Sequence, residues 1–240
     1  MTKKIQNQNL KDLEKKLKLN FKNKELLKEA LTHRSYLNEA KNQKLASNER
    51  LEFLGDAVLS LIVSFWIFNE FKNYPEGKLT NLRSNLVKTS ALAKIADELK
   101  IGDYLFMSRG EQEAEGQKNP TLNANAMEAV IGTIFIDQGI EQTEKFIKQN
   151  FEQMLKKLIA SGKFKDYKSL LQEKIQSQTG QSPIYRTIKE EGPEHSKIFT
   201  VNVIHRDGSI IASGNGKSKQ KAEQEAAELA LEKIASKKYH

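Results

Sequence analysis

The run Asn48-Glu49-Arg50-Leu51-Glu52-Phe53-Leu54-Gly55-Asp56-Ala57-Val58-Leu59 constrains this chain more than any other stretch. On a helix, Glu49, Glu52 and Asp56 fall at i, i+3 and i+7, within an arc of about 60° at about 100° per residue, while Leu51, Leu54 and Val58 fill the other side. Like charges stacked on one face repel by a few tenths of a kcal/mol per pair. Two explanations compete for such a stripe. One is a solvated face, or ion pairs with Arg34, Lys44 and Arg50; the other is a divalent cation held by the three acids. The residues that follow, Leu59, Leu61, Ile62, Val63, Phe65, Trp66, Ile67 and Phe68, read as a helix entering a core. Acids at its entrance would border protein rather than open water, which favours the cation.

A second acidic position points the same way. Asn125 to Ile136 is apolar nearly all round, the pattern of a buried helix, and Glu128 is its only charge. A buried carboxylate is costly unless it is paired or coordinates a metal, and no Lys or Arg lies between Lys118 and Lys145 to pair with it locally. The alternatives are a distant arginine such as Arg83 and a metal ion. Asn125, one turn earlier on the same face, adds a neutral oxygen donor.

Both acidic segments resemble bacterial ribonuclease III. The resemblance rests on Glu49-Arg50-Leu51-Glu52-Phe53-Leu54-Gly55-Asp56, on Leu31-Thr32-His33-Arg34-Ser35-Tyr36, on Glu76 to Val87, and on the Glu128 helix ending Phe135-Ile136-Asp137. It runs over essentially the whole chain, and the octapeptide is its specific element.

The resemblance implies a chemistry. The positions matching Glu52, Asp56, Asn125 and Glu128 bind magnesium and carry catalysis, and those matching Glu49 and Glu76 lie by the scissile RNA backbone. Hard oxygen ligands suit magnesium, with manganese as a substitute, and phosphodiester hydrolysis needs an activated water and neutralised phosphoryl charge. Glu52 and Glu128 are assigned as direct ligands, Glu128 able to bridge, and Asp56 as a holder of metal-bound water or of a second ion. The family usually has Asp at the position of Asn125, so one negative charge is missing and a raised magnesium requirement is expected.

Composition bounds the rest. A chain of 240 residues suggests one or two domains, and its net charge of +8 with pI near 9.3 fits a polyanionic partner. The absence of cysteine excludes a disulfide framework and thiolate-bound zinc. Met1-Thr2-Lys3-Lys4-Ile5-Gln6 has no secretory core, and Ala57 to Phe68 is too short and too interrupted by serine to span a bilayer, so a cytoplasmic location without membrane contact is expected. No small organic cofactor is expected either.

Periodicity places an all-α domain in the N-terminal part, from about Asn20 to Leu158, with Ser108 to Asn123 as a loop before the Glu128 helix. It lapses around Ala160 to Lys165. The expected division is an endonuclease domain over 1–160, a linker over 161–165, and a small α+β domain over 166–240 with the order α-β-β-β-α. In the last, Tyr167 to Thr179 is helical, with Leu170, Leu171 and Ile175 inward and Ser169, Gln172, Glu173 and Gln176 outward. Strands are expected at Ile184–Lys189, Lys197–His205 and Ser209–Ser213. A closing helix starts near Lys219 with Ser218 as N-cap and Ala222, Ala226, Leu229 and Ala230 packing.

Lys217, Lys219 and Lys221 crowd the start of that helix, where the dipole disfavours cations by several tenths of a kcal/mol each. Docked phosphates would resolve the conflict, since helix N-termini and lysines both favour anions. The segment resembles a double-stranded RNA-binding domain. That implies phosphate contacts from Lys217, Lys219 and Lys221, and 2′-hydroxyl contacts from Ser169, Gln172, Gln176 and the loop holding Pro193 and His195. Gln220 stands where that family often has Lys. Residues 166–240 hold 12 Lys+Arg against 10 Asp+Glu, so binding would rest on local placement rather than bulk charge.

The resemblance also implies a homodimer, with Phe53 in a socket on the partner, although Phe53 alone reads equally as core. The expected activity is magnesium-dependent cleavage of double-stranded RNA to 5′-phosphate and 3′-hydroxyl ends with short 3′ overhangs, in the maturation of ribosomal, messenger and transfer RNA precursors. The rival reading is a duplex-binding protein that has lost cleavage, for which Asn125 is the main support. A generic basic RNA chaperone would leave Glu128 unexplained.

Overall fold

The computed structural model describes residues 3–39, 45–161, 167–193 and 196–236. The chain forms two compact units, Met1–Phe164 and Lys165–His240. Lys44, His195 and most of the expected linker, 162–165, lie outside the described residues.

The first unit is helical. Its elements are α1 (Lys3–Leu17), α2 (Lys24–Ala30), α3 (Arg34–Glu39), α4 (Glu49–Glu70), α5 (Glu76–Val87), α6 (Thr89–Glu98), α7 (Arg109–Glu113) and α8 (Pro120–Ser161), with single 3₁₀ turns at Ile101–Tyr104 and Gly116–Lys118. Periodicity did not reveal α1, which contributes Leu10, Leu13 and Leu17 to the core. The stretch read as a loop from Ser108 to Asn123 instead contains α7, a 3₁₀ turn and the start of α8. Ser108 caps α7 by accepting from the Glu111 N–H, and Pro120 opens α8, where its missing N–H costs nothing. α8 is two helical arms joined at Gly139, whose φ of +81° breaks the helix. Asp137, just before that break, accepts from the backbone N–H groups of Lys22 and Asn23 at 2.9 and 2.8 Å, and Asn23 in turn caps α2.

α4 and the first arm of α8 form the centre of this unit. Leu51, Val58, Leu59, Ile62, Val63, Trp66 and Ile67 of α4 are buried at helical spacing. The two backbones touch at paired glycines. A Cβ on Gly55 would stand 1.8 Å from the Glu128 carbonyl oxygen, and one on Gly132 would stand 2.4 Å from that of Leu51. Any side chain at either position would force the helices apart, so the glycines fix which turns of α4 and α8 face each other.

Three residues expected in the core are not there. Leu61, Phe65 and Phe68 are 63%, 60% and 64% exposed and continue the line of Phe53, which is 81% exposed, along one face of α4. The helix is therefore apolar on two sides, one packed and one open. With 22 residues and a mean hydropathy of 1.8 over its most apolar window, α4 is long and apolar enough to cross a bilayer, contrary to the expectation from Ala57–Phe68 alone. Nearly half of that window is buried within the unit, so the core accounts for much of its apolar character.

The second unit is α9 (Tyr167–Thr179), then β1 (Ile184–Glu191), β2 (Ile198–Ile204) and β3 (Ile210–Gly216) in an antiparallel sheet of order β1-β2-β3, then α10 (Lys219–Ser236). Leu171, Ile175, Val203, Ala226, Ala227 and Ala230 form its core. Leu229, expected to pack, is 39% exposed. β1 runs two residues further than expected, past an irregularity between Thr187 and Lys189. β3 starts one residue later than expected and extends through Gly214-Asn215-Gly216. These residues look like a turn, but a Cβ at Gly214 or Gly216 would lie 2.2 or 2.4 Å from the Ala226 or Ala222 nitrogen, so the glycines let α10 press onto the strand.

Candidate active site and nucleic-acid interface

From Asn123 to Ile134, Asn125 and Glu128 are the only residues of α8 not fully buried. Both open into a cleft of about 610 Å³ that they share with Glu49, Glu52, Phe53 and Asp56 of α4, and with His33, Arg34, Asn48, Leu105 and Leu122. The glycine contact explains the meeting. Gly55 lies between Glu52 and Asp56 and presses on the carbonyl of Glu128 itself, which sets the acids of α4 beside the polar pair of α8.

The charges in this cleft are unsettled. Burial, and then the carboxylates of Asp56 and Glu52, push Glu128 up to about 7. Glu52 is also raised, chiefly by burial and by Glu49, while a hydrogen bond from the Asn125 side chain pulls the other way. Among the described residues no Lys or Arg forms an ion pair with Glu52, Asp56 or Glu128, and Arg83 lines a different groove, beside Leu61 and Phe65. Among the described residues, Arg34 pairs with an acid of this cleft, its guanidinium 3.6 Å from Glu49; both side chains are largely exposed, where such pairs contribute little.

The donor set is entirely hard oxygen, which fits a hard divalent cation. Among the described residues no three His, Cys, Asp or Glu groups converge closely enough to enclose an ion by themselves. Asn125 supplies an amide oxygen in addition, and magnesium commonly keeps several waters, so the array fits a partly hydrated ion.

His33 is a cleft residue that the charge pattern did not single out, though its place in His33-Arg34-Ser35 was a signal. Its backbone N–H donates to the Phe106 carbonyl at 2.9 Å, and Nδ1 lies 2.8 Å from Ser35 Oγ. The Ser35 backbone N–H also points at Nδ1, at 3.4 Å. Ser35 Oγ accepts from the Ser108 N–H as well, tying this turn to the start of α7.

Glu76 is not brought to the cleft. It stands at the exposed first turn of α5, accepting from Thr80 Oγ1 at 2.9 Å. From Asp56, the last of the acids, α4 runs on to Glu70 and carries the chain roughly 20 Å away before α5 begins. Phe53 borders the cleft while projecting outward. Its exposed line with Leu61, Phe65 and Phe68 adjoins the groove lined by Leu61, Phe65, Phe68, Leu79, Thr80 and Arg83.

In the second unit Ser169, Gln172 and Gln176 lie on the exposed side of α9, opposite Leu171 and Ile175. Lys217, Lys219 and Lys221 are exposed around the start of α10, which Ser218 caps by accepting from the Lys221 N–H. Lys219 also pairs with Glu190 at 2.9 Å.

Comparison with known proteins gives matches over both units. Residues 23–155 match a ribonuclease-III-like family and residues 167–234 a double-stranded RNA binding motif. The chain is 44% identical to ribonuclease 3 of Syntrophomonas wolfei over 89% of its own length and 90% of that protein's. It is 44% identical to ribonuclease 3 of Carboxydothermus hydrogenoformans, over 96% and 98%. Among solved structures, the nuclease domain of ribonuclease III from Campylobacter jejuni is 41% identical, with a TM-score of 0.54 over 60% of this chain and 96% of that one. A second structure of that domain, described as flexible in a region involved in dimer formation, gives 42% and 0.53.

Proposed function

The chain belongs to the ribonuclease III family, as an endoribonuclease acting on double-stranded RNA, and on that premise we propose that Glu52, Asp56, Asn125 and Glu128 hold magnesium at the point of cleavage. The observation that carries this reading is the convergence of α4 and α8 on a cleft whose acids repel one another and whose Glu128 has no cation partner among the described residues.

A bound magnesium ion would neutralise phosphoryl charge and make a water nucleophilic at neutral pH. The chain's own residues divide the remaining work. Glu52 and Glu128 would hold the ion, and Asp56 would accept hydrogen bonds from water at the same site. Without an ion, burial and the carboxylates of Asp56 and Glu52 hold Glu128 up near 7, and as a ligand it would give up that proton. Glu49, at the cleft's rim and held by Ser47 Oγ at 3.0 Å, lies where the RNA backbone passes. Attack of water on phosphorus with departure of the 3′ oxygen leaves 5′-phosphate and 3′-hydroxyl ends.

The functional particle is a homodimer built on the exposed face of α4. An apolar line of this length is characteristic of an interface. With Phe53 of one copy seated in the Leu61-Phe65-Leu79-Arg83 groove of the other, Glu76, hydrogen-bonded to Thr80 on that groove's wall, comes beside the neighbour's Glu52 and Asp56, which flank Phe53. Each centre then draws on both chains, and two centres cut the two strands of a duplex. Lys217, Lys219 and Lys221 contact phosphates, and Ser169, Gln172 and Gln176 contact 2′-hydroxyls, with His195 completing the set. Ribosomal RNA precursors and other transcripts, in the cytoplasm, are the proposed substrates.

Incubation with long duplex RNA and matched single-stranded RNA, in magnesium and separately in calcium, tests this, with Glu128→Gln alongside. Duplex-only cleavage that needs magnesium and vanishes in the variant is expected. Tight duplex binding without cleavage at any magnesium concentration would refute the metal assignment and favour a binding protein.

A further inference from the structure

The Glu190 carboxylate reaches two lysines from different elements. One oxygen lies 2.9 Å from Lys219 Nζ, at the first turn of α10, and the other lies 3.8 Å from Lys197 Nζ, just before β2. The Lys219 ammonium also lies over the Phe199 ring, 5.7 Å from its centroid, and Phe199 pairs with Glu190 across the β1-β2 ladder. Glu190 ionises below the ordinary carboxylate range because Lys219 hydrogen-bonds to it. An acid on a surface meant for phosphates ought to weaken binding.

We infer that Glu190 is a positioning residue for duplex RNA, holding Lys219 at the mouth of α10 and keeping Lys197 and Lys219 together on one face so that both meet the phosphate backbone. The inference rests on the assignment of Lys219 as a phosphate contact. Its physics is preorganisation. A free lysine loses most of its rotamer freedom when it grips a phosphate, whereas Lys219 is already restrained by a carboxylate on one side and an aromatic face on the other. An ammonium has three donors, so one on Glu190 leaves two for phosphate oxygens. Glu190 also offsets the repulsion of two lysines that the fold brings side by side near the positive end of a helix dipole.

The sign of one substitution separates this from plain repulsion. Binding of the full-length protein to a 30-base-pair RNA duplex is measured in calcium, over a range of salt, for wild type, Glu190→Ala, Glu190→Gln, Lys219→Ala and Lys219→Ala with Glu190→Ala. Expected is a threefold to tenfold loss in Glu190→Ala despite the removal of a negative charge, with a smaller loss in Glu190→Gln, whose amide oxygen still accepts from Lys219. The salt slope should fall by up to about one unit in Glu190→Ala and in Lys219→Ala, and Glu190→Ala should add little once Lys219 is gone, only the longer contact to Lys197 remaining. Cleavage in magnesium should show a raised KM with unchanged kcat. Tighter binding by Glu190→Ala, or an equal effect with and without Lys219, overturns the positioning role while leaving Lys219 a phosphate contact. Unchanged affinity and slope in Lys219→Ala would instead remove the contact on which the inference stands. Thermal unfolding of both Glu190 variants checks that the unit remains folded.

Discussion

Asn125 and Glu128 share one face of α8 and show how a single atom type sets the demands of the cleft. Where the family resemblance leads to the expectation of Asp, the Asn125 amide bonds to Glu52 and brings no charge of its own. Asn125→Asp should therefore lower the magnesium concentration for half-maximal cleavage by roughly fivefold to tenfold, about 1 kcal/mol for one added charge near a partly hydrated ion. An unchanged magnesium titration would remove position 125 from the ligand set. Glu128 makes a second prediction, without metal. Its carboxyl titrates near 4.5 when unfolded and near 7 when folded, so the folded state holds the proton more tightly. Its contribution is fully present below pH 4.5 and is lost as pH rises through 7. In a chelator, wild type should lose thermal stability between pH 5 and 7.5 relative to Glu128→Gln, which carries no such proton. Equal pH profiles for the two proteins would mean that Glu128 is not strained by its neighbours. With magnesium present the same proton competes with the ion, so apparent affinity should weaken as pH falls through 7.

Among the elements, the α4–α8 contact depends most directly on backbone geometry. Gly55→Ala should destabilise the first unit by about 1–3 kcal/mol, because the added methyl meets main-chain atoms that cannot swing aside, and should abolish cleavage by separating the acids from Glu128. Gly77→Ala, in α5 with open space around it, is the control and should be neutral or stabilising by up to about 1 kcal/mol. Urea unfolding of both variants reads the difference. The same contact shows what was legible in the sequence. The spacing of Glu49, Glu52 and Asp56, and the lone charge of Glu128, are local patterns that periodicity carries, and they met in one cleft. The exposure of Leu61, Phe65 and Phe68 was not legible, because a helix buried on one side and awaiting a partner on the other has the same composition as one buried all round. β3 was shortened for a related reason. Gly214-Asn215-Gly216 has turn chemistry, and only the nearness of α10 makes those glycines strand residues. The separation of Glu76 from the other acids depends on the length of α4 and the return of α5, which no local window contains.

For the whole molecule, charge and symmetry decide how the parts act together. The second unit carries only a small positive excess, so its affinity must come from where its lysines stand. Replacing Lys217, Lys219 and Lys221 together should flatten the salt dependence of duplex binding by up to about three units, and an unaltered slope would place the phosphates elsewhere. Symmetry makes the sharper prediction. If Phe53 seats in the neighbour's groove, Glu76 serves the neighbour's cleft and not its own, from which α4 separates it. Glu76→Gln and Glu128→Gln should each reduce cleavage strongly as homodimers. Mixing the two variants tests where Glu76 acts, because subunit exchange places both lesions in one centre and leaves the other whole. The mixed dimer should recover cleavage at one centre, seen as nicking of a single strand of a labelled duplex. Were Glu76 to act within its own chain, each centre of the mixed dimer would carry one lesion and no strand would be cut. Phe53→Ala should shift the dimer towards monomer in sedimentation and should lower the recovery in proportion, since recovery requires the interface that seats Phe53.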